Sequence, residues 1–342
     1  MGIKTAYMPS AEINQQPQTW KGSVLGAISF DTPELITADP AEIPTIHLHA
    51  PILYGEDVAA EIWLSHQALL QNEPLQNGQY GAIQYRFHDE LLFGVISLPE
   101  LGSLQTATES AYREIFALMS KMEYAHIYRF WNYMADINGI KDDLERYRQF
   151  NVGRKDAFMA FENGIGDQLP AACALGVVDG PLTIAFLIGR VPPVAVENPR
   201  QINAFEYPEE YGPRTPSFSR ATLLSTEQNA ILFISGTASI VGHLTQHPSD
   251  VLAQTKETLI NLDAVIAEAN RMLGKQTFDL HHIAFRVYIR HAADLSVVKA
   301  EMERHIGAPV KALFVQADIC RQELLLEIEA TAGPMLSLAD SK

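Results

Sequence analysis

The chain has 342 residues, 47% of them hydrophobic and 19% charged, and 41 acidic side chains against 25 basic ones give a net charge of −16. That size and composition suit two domains with substantial cores and exclude a disordered chain. So acidic a chain repels polyanions, which argues against nucleic acid or an anionic membrane as partner.

Two cysteines, Cys173 and Cys320, cannot make a disulfide framework, and no CxxC pair suggests zinc. The first residues lack the apolar core of a signal peptide, and runs such as "PLTIAFLIG" are too short to span a bilayer. The expectation is a cytoplasmic protein.

In chain order, residues 1–90 are the least regular. "GSVLGAISF" and "QYGAIQYRF" read as strands, and "DVAAEIWLSHQALL" reads as a helix. From Leu91 to Ile188, and again from Ile231 to Ala330, one plan occurs twice. Each copy starts with a strand, "LLFGVIS" or "ILFISGTAS", and continues into a long amphipathic helix. In the first helix Ala111, Ile115, Leu118 and Met122 recur at helical spacing; in the second Leu252, Thr255, Leu259, Leu262, Ile266 and Leu273 do so. Ser249 and Asp250 stand where an N-cap belongs and Gly274 where a C-cap belongs. A strand follows in both copies, pairing Phe130 with Phe285 and Tyr133 with Tyr288 in alignment. Next come a second helix and two closing strands that read as a hairpin, "AACALGVVDGPLTIAFLIGRV" and "VKALFVQADICRQELLLEIEA". This order predicts an α+β fold of mixed sheets covered on one face by helices. The expected division is an N-terminal domain over 1–188, a connecting segment over 189–222 and a C-terminal domain over 223–335.

Residues 189–220 hold six of the nineteen prolines, which block regular helix. They read as a plain linker, or as a functional wall given Tyr207, Tyr211, Arg214, Phe218 and Arg220. Eight of the fifteen arginines fall between Arg129 and Arg220. Such clustering fits a local anion site or a set of surface ion pairs. In "ERYRQFNVGR", Tyr147 and Arg154 lie seven apart and so share a helix face, to bind a carboxylate or to cover a core edge. "FISGTASIVGH" lacks the GxSxG spacing of a hydrolase elbow, so its glycines suit a bulge or a close backbone approach. His243 and His247, four apart, have no third ligand for a metal.

In "QADICRQELLLEIEATA" strand alternation puts Leu324, Leu326 and Ile328 on one face and Leu325, Glu327 and Glu329 on the other. The second face is either solvated, the ordinary outcome for carboxylates, or the wall of a pocket where desolvation makes Glu327 an acid usable near neutrality. Cys320, by itself, reads as a small buried apolar residue.

"SGTAS", the long helix after it and the terminal "LEIEA" resemble the RidA (YjgF-type) fold. "RFWNYMADIN", "ERYRQFNVGR", "VENPRQINAFEYPEEYGPRTPSFSRA", "FISGTASIVGH" and "ICRQELLLEIEA" together resemble the chorismatase family, from about Ile127 to Ala330. The resemblance implies two RidA-like (chorismate mutase-like) repeats and a cofactor-free enzyme, monomeric or a small homo-oligomer. It would remove the enolpyruvyl group of chorismate as pyruvate. It further implies a catalytic Glu327. Cys320, seven residues earlier, matches the members that form hydroxybenzoates, which points to 3-hydroxybenzoate with 4-hydroxybenzoate alongside. For the two substrate carboxylates the expected clamps are Arg154 with Tyr147 and Arg220 with Tyr211, with Arg214 and Tyr207 as alternatives. The first copy ends in "LTIAFLIG", without an acid, so one active site per chain is expected. The alternatives are a RidA-like imine or enamine deaminase and a non-catalytic metabolite-binding protein.

Overall fold

A computed structural model describes residues 2–30, 43–54, 60–161, 169–226 and 229–333. Both copies of the repeat are present. In the first, β6 (Gln76–Tyr80), β7 (Ile83–His88) and β8 (Leu91–Leu98) lead into α1 (Leu104–Met122). Then come β9 (His126–Ala135), α2 (Arg146–Ala160), β10 (Ala171–Val177) and β11 (Leu182–Gly189). The second runs from β13 (Ala221–Ser225) and β14 (Ala230–Thr237) through α3 (Val251–Leu273), β15 (Ile283–Ile289) and α4 (Leu295–Ile306). It ends in β16 (Ala312–Gln316), the short β17 (Asp318–Ile319) and β18 (Leu326–Ala332). Ahead of both lie β1 (Ile3–Met8), β2 (Val24–Phe30), β3 (Thr45–Leu48), β4 (Ile52–Tyr54) and β5 (Ala60–Ser65), and β12 (Val194–Val196) lies between them.

The local signals act as their chemistry predicts. Asp250 caps α3 by accepting from the Ala253 amide at 3.0 Å, and Gly274 ends it at φ +67°. The stretch around residues 57–70 departs from expectation. Its described part is strand β5, followed by a helix only from His66, where the Ser65 hydroxyl accepts from the Ala68 amide at 3.2 Å. Every residue of β5 is buried, Ala60, Ile62 and Leu64 on one face and Glu61, Trp63 and Ser65 on the other, so a strand covered on both sides does not show the solvated alternation that would mark it. "QYGAIQYRF" is not one strand: it holds the end of β6, a turn at Gly81–Ala82 and most of β7.

The closing strands of each repeat are not a hairpin. β10 pairs parallel and β11 antiparallel with β9, which lies between them; β16 and β18 flank β15 in the same way. The intervening strand is already in place, and the four residues 178–181 can step over its end, a span of about 10 Å.

Three large sheets result among the described residues, beside two short two-stranded ones. The N-terminal one has order β1-β5-β2-β3, the first-repeat sheet β17-β10-β9-β11-β8-β7-β6, and the second-repeat sheet β12-β13-β14-β18-β15-β16-β4. Edges are exchanged, β17 of the second repeat closing the first-repeat sheet and β4 closing the second. Helices cover the outer faces, with Phe130 in one helix-side core and Phe285 in the other. The inner faces meet in a central core where Trp63, Trp131 and Phe233, one from each sheet, come together; Trp63 lies 5.0 Å from Trp131 and 6.0 Å from Phe233. The aligned Tyr133 and Tyr288 meet there too, hydroxyl to hydroxyl at 2.8 Å.

Candidate active site

Where β10 of the first repeat faces β14 and β18 of the second, the inner faces separate around a cavity of about 510 Å³. That volume suits a small metabolite. Glu327, Cys320, Tyr147, Arg154, Tyr211 and Arg220 all line it, as do Tyr207 and Phe218 of the proline-rich segment. Arg214 stands apart, half exposed and paired with Asp156 at 3.2 Å.

The described face of β18 is not solvated: Glu327 and Glu329 are each 4% exposed. Leu326 and Ile328 face the helix-side core as alternation requires. Leu324, outside the strand, turns into the central core instead. The two glutamates have opposite electrostatics. Glu329 is deeply buried, yet Arg286 and Arg129 hold it below the usual carboxylate range: both pair with it, Arg286 at 2.7 Å, and Arg286 also pairs with Glu61 of the N-terminal sheet. Glu327 has no such partner among the described residues. Burial, with the Glu329 charge beside it, pushes its carboxyl up to about 8, against a smaller opposing pull from Arg129. One strand thus carries an ionised and a protonated carboxyl two residues apart.

Cys320 approaches Glu327 Oε2 to 4.0 Å. Burial and the neighbouring Glu327 push its thiol up to about 12, so it is a neutral S–H and not a thiolate nucleophile. Its place follows from β17: pairing of Asp318–Ile319 with Gly176 and Leu175 carries the chain across to the first-repeat sheet just before Cys320. The cleft is therefore lined from both repeats.

Tyr147 and Arg154 share the cavity-facing side of α2. The Arg154 guanidinium lies 5.2–6.0 Å from the rings of Tyr112, Phe130, Phe150 and Phe158, while its Nε and Nη2 have no hydrogen-bond partner among the described residues. A buried cation with unused donors at a cavity wall is suited to an anionic ligand. Arg220 lies across the cleft, donating through Nη2 to the Ile202 carbonyl at 2.9 Å and the Tyr207 hydroxyl at 2.8 Å, with Nε unused. Its phenolic partner is Tyr207 and not Tyr211, because the turn at Glu209–Tyr211 sends the Tyr211 hydroxyl to the His243 carbonyl at 2.9 Å. Arg214 aside, the segment's named residues form a wall of the cavity.

Sequence reasoning missed Arg321. Its guanidinium sits 4.1 Å from the Tyr211 ring and 5.2 Å from that of Tyr207, donates to the His243 carbonyl at 2.8 Å, and leaves Nη2 unused. Its only signal was adjacency to Cys320, since a residue in a turn has no periodicity. Cys173, on β10, also lines the cavity.

Fold and cleft together define a small-molecule site between two α+β repeats, with one buried acid and several unpaired guanidinium donors. The model of the N-terminal part of FkbO/Hyg5-like chorismatases matches residues 61–188. A chorismatase of Streptomyces rapamycinicus is 37% identical over 272 residues, 76% of this chain and 80% of its own length. A 3-hydroxybenzoate synthase of Streptomyces hygroscopicus is 31% identical over 342 residues, covering 95% of this chain and 96% of its own. A crystal structure of a chorismatase superposes with a TM-score of 0.85 at 32% identity, over 97% of this chain and 98% of that one. This chain belongs to the chorismatase family, and its α+β fold of two repeats is shared with that chorismatase structure.

Proposed function

We propose that this protein is a chorismatase that cleaves chorismate to pyruvate and 3-hydroxybenzoate, with 4-hydroxybenzoate as a second product. The observation that carries the proposal is Glu327, buried and without an ion-pair partner among the described residues, in a cavity with unused donors of Arg154 and Arg220. Names of relatives support the substrate and the first product.

In the mechanism, Arg154 with Tyr147 holds one substrate carboxylate and Arg220, oriented by Tyr207, holds the other. Arg321 and Tyr211 close the same wall. Glu327 gives its proton to the terminal methylene of the enol ether, which becomes a methyl group on an oxocarbenium ion. The bond between the ether oxygen and the ring then breaks, its electron pair goes to oxygen, and pyruvate leaves. For 4-hydroxybenzoate the C4 ring proton then passes to the Glu327 carboxylate. For 3-hydroxybenzoate the C4 hydroxyl oxygen bonds to C3 as pyruvate leaves and gives its proton to Glu327. The C4–O bond of the resulting epoxide opens as the C3 proton passes to that oxygen, which completes aromatisation. Cys320, a neutral thiol beside Glu327, fills space that water would otherwise occupy, which favours aromatisation over hydrolysis. No step requires a cofactor. We place the activity in the cytoplasm, in a monomer or small homo-oligomer, with the domain division at 1–188, 189–222 and 223–335.

The test is incubation with chorismate, following pyruvate enzymatically and aromatic products by chromatography. Equimolar pyruvate and hydroxybenzoate are expected. Turnover of a 2-imino acid with chorismate left intact would overturn the proposal in favour of a deaminase.

A further inference from the structure

The stretch "FISGTASIVGH" enters the cleft through Gly236, which the chemistry above leaves without a role. A Cβ placed on Gly236 would collide with Glu327 Oε1 and stand 2.5 Å from its Cδ and 3.1 Å from its Cγ. The Glu327 carboxyl therefore rests on the glycine backbone, in space that a side chain of any other residue would fill. The φ of Gly236 lies outside the left-handed region, so an alanine there meets no left-handed backbone strain. Its requirement is purely one of room.

The backbone around it cannot move aside. Ile234 faces Ala330 while Thr237 faces Ile328, so β14 carries one extra residue, a bulge, at this point. The Ser235 amide donates to the Arg220 carbonyl at 3.0 Å, and its hydroxyl donates to the Ser219 carbonyl at 2.6 Å while accepting from the Ala172 amide at 2.9 Å. Thr237 Oγ1 donates to the Ser235 carbonyl at 2.9 Å, and Arg129 Nη1 donates to the Ile234 carbonyl at 2.8 Å. These bonds tie the bulge to the connecting segment, to the first-repeat sheet and to the central ion-pair network. Behind Glu327, β18 is locked by its ladder, with Tyr288 directly opposite. A collision at residue 236 is relieved at the one free end, the Glu327 carboxyl.

We propose that Gly236 is a positioning residue: the pinned, bulged glycine sets where the Glu327 carboxyl lies and so aims its proton at the substrate. This rests on Glu327 being the acid of the proposed reaction. In the pairing, bulge and acid form one unit, and the glycine is needed by the second repeat's acid and not by its fold.

The test is a double-mutant cycle of Gly236→Ala with Glu327→Asp, whose carboxyl is one methylene shorter and clears the new methyl group. In the parent background Gly236→Ala is expected to lower kcat about 100-fold, the effect of an ångström-scale misplacement, with KM and thermal midpoint little changed. In the Glu327→Asp background the same substitution should cost less than about threefold, because distance removes the coupling. Equal losses in both backgrounds, or parent-like kcat in Gly236→Ala, would overturn the inference. A second readout needs no substrate: the 13C resonance of the Glu327 carboxyl should titrate at lower pH in Gly236→Ala, as the group is pushed into the cavity. An unchanged titration overturns the inference even if the protein proves inert to chorismate, whereas inertness with a shifted titration sinks only the functional proposal.

Discussion

At the scale of single residues, the proposed activity rests on which of two neighbouring glutamates keeps its proton. Glu329 pairs with two guanidiniums, while Glu327 is buried beside that negative charge. The acid form is the active one, so kcat/KM should be level at low pH and fall tenfold per unit above about pH 8. Glu327→Gln should lower kcat by about 10²–10⁴-fold and remove this limb, as seen in initial rates of pyruvate release. Stability runs in the same sense. Between the unfolded carboxyl near pH 4.3 and the folded one near 8, the unfolded chain is ionised while the native state keeps its proton, so stability falls as pH rises through that window. Glu327→Gln should therefore melt above the parent at pH 8.5, by on the order of a few °C, and alike at pH 4. Cys320→Ala opens space for water at Glu327, and product analysis should show a shift toward the dihydroxycyclohexadienoate. An unaltered product ratio would remove the thiol from the account of specificity.

At the scale of elements, the proline-rich segment acts as part of the site. Its turns hold Tyr207 against Arg220 and Tyr211 against Arg321. Tyr207→Phe keeps the ring and deletes the hydroxyl at 2.8 Å from Arg220. The expected result in steady-state kinetics is a KM about tenfold higher with kcat within about threefold, because the clamp loses orientation and the acid is untouched. Helix α2 shows how far periodicity reaches. The seven-residue spacing of Tyr147 and Arg154 placed both on one face, and both line the cavity. That this face meets a cleft and not a core edge follows from the second repeat packing opposite, which no spacing within α2 encodes.

At the scale of the whole molecule, three sheets share one interior held by a buried ion network of Glu61, Arg129, Arg286 and Glu329, one acid coming from the N-terminal sheet. Arg286 is 1% exposed. Arg286→Met leaves buried Glu61 without its guanidinium and Glu329 with Arg129 alone, and should cost about 3–5 kcal/mol in denaturant unfolding. A loss under 1 kcal/mol would show that the network contributes little to holding the N-terminal sheet.

The sequence by itself determined the repeats, their helix periods and caps, the family resemblance and the acid-bearing strand, because these depend on local periodicity and on motifs read within short windows. It misread β5, which is buried on both faces and so lacks a solvated side, and the closing strands, whose partner is an intervening strand distant in the chain. Burial of Glu327, the arrival of Cys320 and Arg321 by way of β17, the Arg220–Tyr207 pairing and the seat on Gly236 were decided only by tertiary structure. Alternation tells which side chains share a face. What that face meets, water or a desolvating cleft, is set by the sheet that packs against it, and this difference turns an ordinary strand glutamate into an acid.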